Sequence, residues 1–402
     1  MTHTMTATAA EKSARTTPLT PGLILLMAVS CGITVANLYY NQPLLADIGK
    51  TFDIGAKQAG LVSMLTQFGY AAGLFLFIPL GDIQEKRKLI VGLLLAVGLA
   101  LIGVAAAQSL IWMYVASFTV GITTTAPQMI IPLATEMAPP EVRGKVIGSI
   151  MSGLLIGILL ARTVSGLIGQ LFGWRSMFGL AAAAMFVLAY ILWKRLPVSR
   201  PAIRLSYLGL IRSMGKLIAE YRILREAACI AAFMFGAFSV FWTSLTFYLE
   251  GPTFGYGSAV AGLFGLIGVV GAFAASVIGR LADRASPTNM VGMMITAAIF
   301  SYICFWLAGS WMWGLIAGVV LLDLGVQGGQ VANQSRIYAL LPEARSRLNT
   351  VYMVSVFIGG AIGSTLGAYA WNRWGWSGTC VAGGAMTLAA FLIWAMHRIA
   401  RK

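Results

Sequence analysis

A chain of 402 residues that is 58% hydrophobic and only 10% charged is too apolar for a soluble domain. Its formal net charge of +15 is dispersed over short loops, which argues against nucleic acid as a partner and suits membrane topology and anionic lipid. The two histidines, His3 and His397, stand at the extremities, so a histidine-built metal site or triad is not expected.

An apolar run of about 20 residues crosses a bilayer as a helix. After a polar tail over 1–20, twelve such runs follow, at 21–42, 58–80, 89–108, 110–134, 145–171, 176–194, 227–249, 258–279, 289–308, 311–335, 348–370 and 376–397. The first lacks a convincing cleavage site and is expected to be retained. A basic linker over 195–226 divides the runs into bundles over 21–194 and 227–397, and a short tail covers 398–402. Within the linker Leu205, Leu208, Ile211, Leu217, Ile218 and Tyr221 recur at helical spacing among Arg204, Arg212, Lys216 and Arg222. That pattern fits either an interfacial helix or a partly ordered tether. Lys86, Arg87, Lys88, Arg143, Lys145, the linker cluster, Arg345 and Arg347 fall on one side, against Lys50, Lys57, Arg175 and Arg373 on the other. The excess of basic loops puts both termini and the linker in the cytoplasm. Cys31, Cys229, Cys304 and Cys380 all lie in apolar runs, so no structural disulfide is expected.

The second half repeats the first at an offset of about 202 residues. Pro140-Glu141-Val142-Arg143, Gly157 and Gly173-Trp174 return as Pro342-Glu343-Ala344-Arg345, Gly359 and Gly375-Trp376, and Gln128 aligns with Gln330. Duplicated helical halves with a site between them are a secondary-transporter architecture. Small residues recur at every fourth position in four runs: Gly69 and Gly73 in the second, Gly153 and Gly157 in the fifth, Gly271 and Gly279 in the eighth, Gly359 and Gly363 in the eleventh. Such stripes let helix backbones approach closely in lipid, and their matched placement predicts contacts between the halves.

These features resemble the major facilitator superfamily over essentially the whole chain. The loop after the second run, Gly81-Asp82-Ile83-Gln84-Glu85-Lys86-Arg87, matches that family's loop motif at its aspartate and paired basic residues, and Gly279-Arg280-Leu281-Ala282-Asp283-Arg284 matches its opening. Asn37-Leu38-Tyr39-Tyr40-Asn41-Gln42-Pro43 is similar to the proton-coupled sugar, nucleoside and drug efflux branch. Where antiporters of that branch carry a proline in the fifth helix, this chain has Arg162. The resemblance implies an all-α membrane protein with twelve helices in two pseudo-symmetric six-helix bundles, in a bacterial inner membrane, working as a monomer. It further implies contacts through the second, fifth, eighth and eleventh helices, and a cytoplasmic latch of Asp82, Arg87 and Glu136 with Asp283 and Arg284 as the second copy.

Asp323 lies about twelve residues from either end of the tenth run. An intramembrane carboxyl generally faces a protein interior or a wet cavity and can take up a proton, so proton coupling or substrate binding is its expected role, with a structural carboxylate locked by hydrogen bonds or a cation as the alternative. Arg162 is the basic residue set deep in a run; it could pair with Asp323, bind an anion or fasten helices. Asn37, Tyr40, Asn41, Gln42, Gln128, Trp242, Thr243, Gln327, Gln330 and Asn333 fall on runs that line the family's cavity, so each is either a substrate contact or a helix–helix hydrogen bond. No Gly-x-x-x-x-Gly-Lys-Ser/Thr loop is present, and neither cofactor nor enzymatic activity is expected. The expected function is export of a small organic solute (sugar, nucleoside or drug-like) by proton antiport. Proton-coupled or facilitated uptake is the first alternative, a non-transporting sensor the second.

Overall fold

Within hydrocarbon every backbone N–H and C=O must find its partner inside the segment, so each apolar run has to be helical. In the computed structural model, which describes residues 19–198, 206–268, 286–341 and 344–399, a helix occupies each of the twelve runs. They are α1 (Pro21–Ala36), α2 (Ala56–Ile83), α3 (Lys86–Ala105), α4 (Leu110–Met137), α5 (Arg143–Phe172), α6 (Trp174–Arg195), α7 (Arg222–Glu250), α8 (described over Ser258–Gly268), α9 (Pro287–Ala308), α10 (Met312–Tyr338), α11 (345–374) and α12 (376–399). Several starts are written locally. Thr20 and Ser286 accept the first amide hydrogens of α1 and α9, each followed by a proline that needs no partner, and Ser109 caps α4. The α4 span breaks at 124–126, ahead of Pro127. After α1 the chain loosens through Asn37–Asn41 before a short helix, Leu45–Phe52.

The repeated Gly-Trp pair is the turn between the last two helices of each half. Gly173 and Gly375 hold φ of +81° and +59°, a region that disfavours any side chain. Each following tryptophan is pinned: Trp174 Nε1 donates to Thr51 Oγ1, and Trp376 Nε1 donates to the Phe305 carbonyl while its ring stacks on Tyr248 at 3.9 Å.

Between α6 and α7 the linker forms a helix, Tyr207–Glu220, lying beneath the junction of the halves. Its buried stripe is Leu210, Met214 and Leu217, the first two set against Ile78 and Pro79 of α2 and Thr350 of α11, and Tyr207 donates to the Leu76 carbonyl. The expected apolar face differs from this: Leu208 and Ile218 point outward, because the helix spends its better stripe on protein. The side bearing this helix is called the linker face below, and the opposite side the far face.

Candidate functional site: a vestibule between the halves

Between the two halves lies a cavity of about 680 Å³. Glu136 and Arg143 from one half and Tyr338, Arg345 and Ser346 from the other ring its mouth, so it opens at the linker face. Gln128 and Gln330, the amides that correspond under the repeat, both reach its wall, joined by Gln327, Gln334 and Asn349. Ile158, Leu154, Leu155, Phe235, Met353 and Phe357 make the rest apolar. Tyr39 and Tyr70 close the inner end, with Tyr70 edge-on to Phe357 at 4.4 Å.

Toward the far face the halves are zipped together. Gln67 of α2 donates to Ser364 of α11 at 2.7 Å and accepts from Ser239 of α7, and Thr243 also donates to Ser364. Thr163 of α5 donates to the Gly262 carbonyl of α8, and Thr246 donates to the Pro43 carbonyl. At the rim Lys50 pairs with Glu250 at 2.5 Å. The seams are thus α2 with α11 and α5 with α8, as expected, but the glycines in them are others. A methyl on Gly60 would come within 2.3 Å of Ala368, on Gly166 within 2.3 Å of the Ser258 carbonyl, and on Gly262 within 2.5 Å of the Arg162 carbonyl. Gly69 and Gly73 instead meet Phe118 and Ile122 of α4; Gly153 and Gly157 meet Ala28 and Gly32 of α1; Gly359 and Gly363 meet Ala232 and Gly236 of α7. All six pack inside their own half. Nine residues separate Gly157 from Gly166, and Gly60 from Gly69, which at about 100° per residue is about two and a half turns and puts the two on opposite faces. Each helix therefore carries two small faces, and the regular stripe is the inner one. Gly271 and Gly279 lie outside the described residues.

Arg162 and Asp323 sit one layer behind the vestibule, each 1% exposed. Ile158, one turn before Arg162, and Gln327, one turn after Asp323, are wall residues, whereas the charges themselves are not. The Arg162 Nε donates to Gln42 Oε1 at 2.7 Å, and the guanidinium is stacked by Tyr39, Trp242 and Phe238 at 4.7, 4.1 and 5.3 Å. Among the described residues its Nη2 has no hydrogen-bond partner, nor has Asp323 Oδ2. The two charges act on each other across space but do not touch. Two glycines of α8 stand beside them: Gly265 against the Arg162 side chain and Gly268 against the Asp323 carboxyl.

The family profile described as Major Facilitator Superfamily matches residues 24–329. The chain belongs to the major facilitator superfamily. It is 42% identical over 376 residues to the uncharacterized transporter YgaY of Escherichia coli O157:H7, covering 94% of this chain and 95% of that one. It is 23% identical over 373 residues to a probable sugar efflux transporter of Helicobacter pylori strain G27, covering 87% and 88%. Among solved structures, a bacterial homologue of the human lysosomal transporter Spinster, inward-facing and occupied, superposes with a TM-score of 0.73 at 15% identity over 94% of this chain and 96% of that one. That likeness is one of fold.

In this superfamily member the remaining polar residues sort by what they touch. Gln128, Gln327 and Gln330 face the vestibule. Asn41 donates to Thr66, the Asn37 amide nitrogen lies 3.3 Å from the Met185 sulfur, Gln42 holds Arg162, and Thr243 is in the α11 seam. Asn333 accepts from Arg336. Tyr40 is buried, its carbonyl accepting from Ser165, and Trp242 packs on Arg162.

Near the mouth, Glu136 bonds Lys86 rather than Arg87, whose guanidinium lies 4.4 Å over the Trp193 ring. The Asp82 side chain, Asp283 and Arg284 lie outside what is described, so the expected latch is seen only in this rearranged part. A cluster the sequence did not announce joins α7, α10 and α12 on the linker face. Arg336 Nη2 donates to Glu226 Oε2 at 2.9 Å, and His397 Nε2 lies 2.9 Å from the same oxygen, all three residues being buried.

Proposed function

We propose that this major facilitator exports a small organic solute (sugar, nucleoside or drug-like) from the cell in exchange for protons, as a monomer with both termini and the linker face in the cytoplasm. The observation that supports it most is the vestibule itself: amide-lined, open on one face, zipped shut on the other, with a buried carboxyl one helical turn from its inner end. The described state is then the inward-open one. Rocking the halves about the α2–α11 and α5–α8 seams would part the far-face zipper and close the mouth. Asp323 takes its proton when the site opens to the far side and gives it up toward the cytoplasm, so its proton affinity must differ between the two orientations. The likeness to the probable sugar efflux transporter of Helicobacter pylori favours export over uptake.

The test is flux in proteoliposomes of known orientation, with solutes first found by profiling a deletion strain against an overexpressing one. Solute movement should follow an opposing proton gradient and stop in Asp323→Asn, with normal protein abundance. Solute accumulating together with protons would favour uptake, and binding without flux would favour a sensor.

A further inference from the structure

A guanidinium offers five N–H donors in a rigid fork, and burying one without a counter-ion is costly. Arg162 comes close to this condition: one donor reaches Gln42, and among the described residues Nη2 is unmatched and the nearest acid, Asp323, acts on it across space without touching it. The aromatic rings around it fix the plane of the fork without consuming its donors. The Tyr39 ring, which is also the vestibule's inner wall, is the layer between that fork and the cavity.

A second, independent observation is the charge along the route inward. The charged residues lining the vestibule, among those described, are Arg143, Arg345 and Glu136, and Glu136 is already paired with Lys86. Arg143 and Arg345 correspond under the repeat, and each anchors through Nε to the carbonyl at the end of the preceding helix, leaving the rest of its fork to the mouth. A positive mouth leading to a cation with a donor still free focuses anions, the more so when Asp323 carries its proton. Between the two, amides from both halves alternate with aliphatic and aromatic side chains, which suits a body with both apolar and polar parts.

We infer that the solute is an amphipathic organic carboxylate whose charged group is received by Arg162 after Tyr39 swings aside. The inference deepens the transport reading and rests on its vestibule being the solute's path. Exchange of one carboxylate outward for one proton inward moves charge in a direction that an inside-negative potential favours, so no further co-substrate is needed.

The experiment is equilibrium binding to the full chain in nanodiscs, by calorimetry, with no gradient imposed. The probes are 4-phenylbutanoate, 2-naphthoate and indole-3-acetate, each against its own primary amide. At least one acid should bind ten or more times tighter than its amide, and raising the salt should weaken the acid alone. Arg162→Gln should shrink that preference to threefold or less, and Arg162→Lys should keep part of it. The inference is overturned if acids and amides bind alike, if no acid binds at millimolar concentration, or if the preference outlives Arg162→Gln. The wild-type comparison needs no variant, so a poorly folding Arg162→Gln leaves it intact. Acid binding without gradient-driven flux would sink the transport reading and leave this one; flux of neutral solutes with no charge preference would do the reverse.

Discussion

The guanidinium of Arg162 lies 4.1 Å from the centre of the Trp242 ring, and the two residues come from opposite halves of the molecule. Both are almost wholly removed from solvent. A desolvated cation over an indole contributes about 2 kcal/mol or more, so this contact is among the stronger single ties across the closed far face.

Trp242→Leu should therefore favour far-face opening by on the order of thirtyfold, since about 1.4 kcal/mol is a factor of ten. The readout is the alkylation rate of a cysteine placed at Thr246, which is buried at the zipper, by a maleimide that cannot cross the membrane. Cys31, Cys229, Cys304 and Cys380 would first be replaced. An unchanged rate would show that the stack does not hold the gate.

The two classes of glycine should fail differently. Gly262→Ala and Gly60→Ala push a methyl across the seam between halves, so they should trap the far face open and abolish flux, with the melting temperature changed by a few degrees at most. Gly157→Ala and Gly359→Ala press on the backbone of a neighbour in the same half, Gly32 and Ala232, and should lower melting and yield before they alter gating. Melting curves beside the alkylation assay separate the two. Equal melting losses in both classes would erase the distinction.

At the rim, the bond to Glu250 raises Lys50 above the ordinary lysine range. A raised lysine pKa means the ammonium is fully charged below the free value and loses its proton only as pH climbs through the raised one, so this contact should not loosen the far face as pH rises from about 7 to 9. Lys50 is 68% exposed, and an exposed pair is screened by salt. Lys50→Met should accordingly raise far-face alkylation less than about fivefold. The exchanged pair, Lys50→Glu with Glu250→Lys, should restore the original rate.

Much of this could be read from residues alone, and the failures have a common cause. Hydropathy located the twelve membrane-length segments because an unbroken apolar run of that length satisfies its own backbone in lipid as a helix. The 202-residue repeat paired Gln128 with Gln330 before either was seen on the vestibule wall. A stripe, however, says that some helix comes close without saying which. For Gly153 and Gly157 it is α1 in the same half, whereas the seam is carried by Gly166, on the opposite face. Glu226, Arg336 and His397 were each legible only as ends of segments, and nothing but packing joins three ends. The one local hint was an acid, Glu226, closing a basic linker at the start of the seventh apolar run.

That cluster supports a last prediction. Glu226 holds Arg336 at 2.9 Å with both side chains buried, and the second Arg336 contact, to Asn333 at 3.0 Å, is neutral. Removing one member of a buried pair strands the other charge, at a cost of about 3–5 kcal/mol, while removing both leaves far less to destabilise. Glu226→Gln should thus lower the melting temperature of the purified protein by several degrees, and His397→Gln, which leaves the Arg336 bond in place, by less. The double variant Glu226→Gln with Arg336→Met should regain most of the loss, because two residues in contact do not act additively. Losses that simply add would mean that the pair ties α7 to α10 in geometry only and carries no coupling.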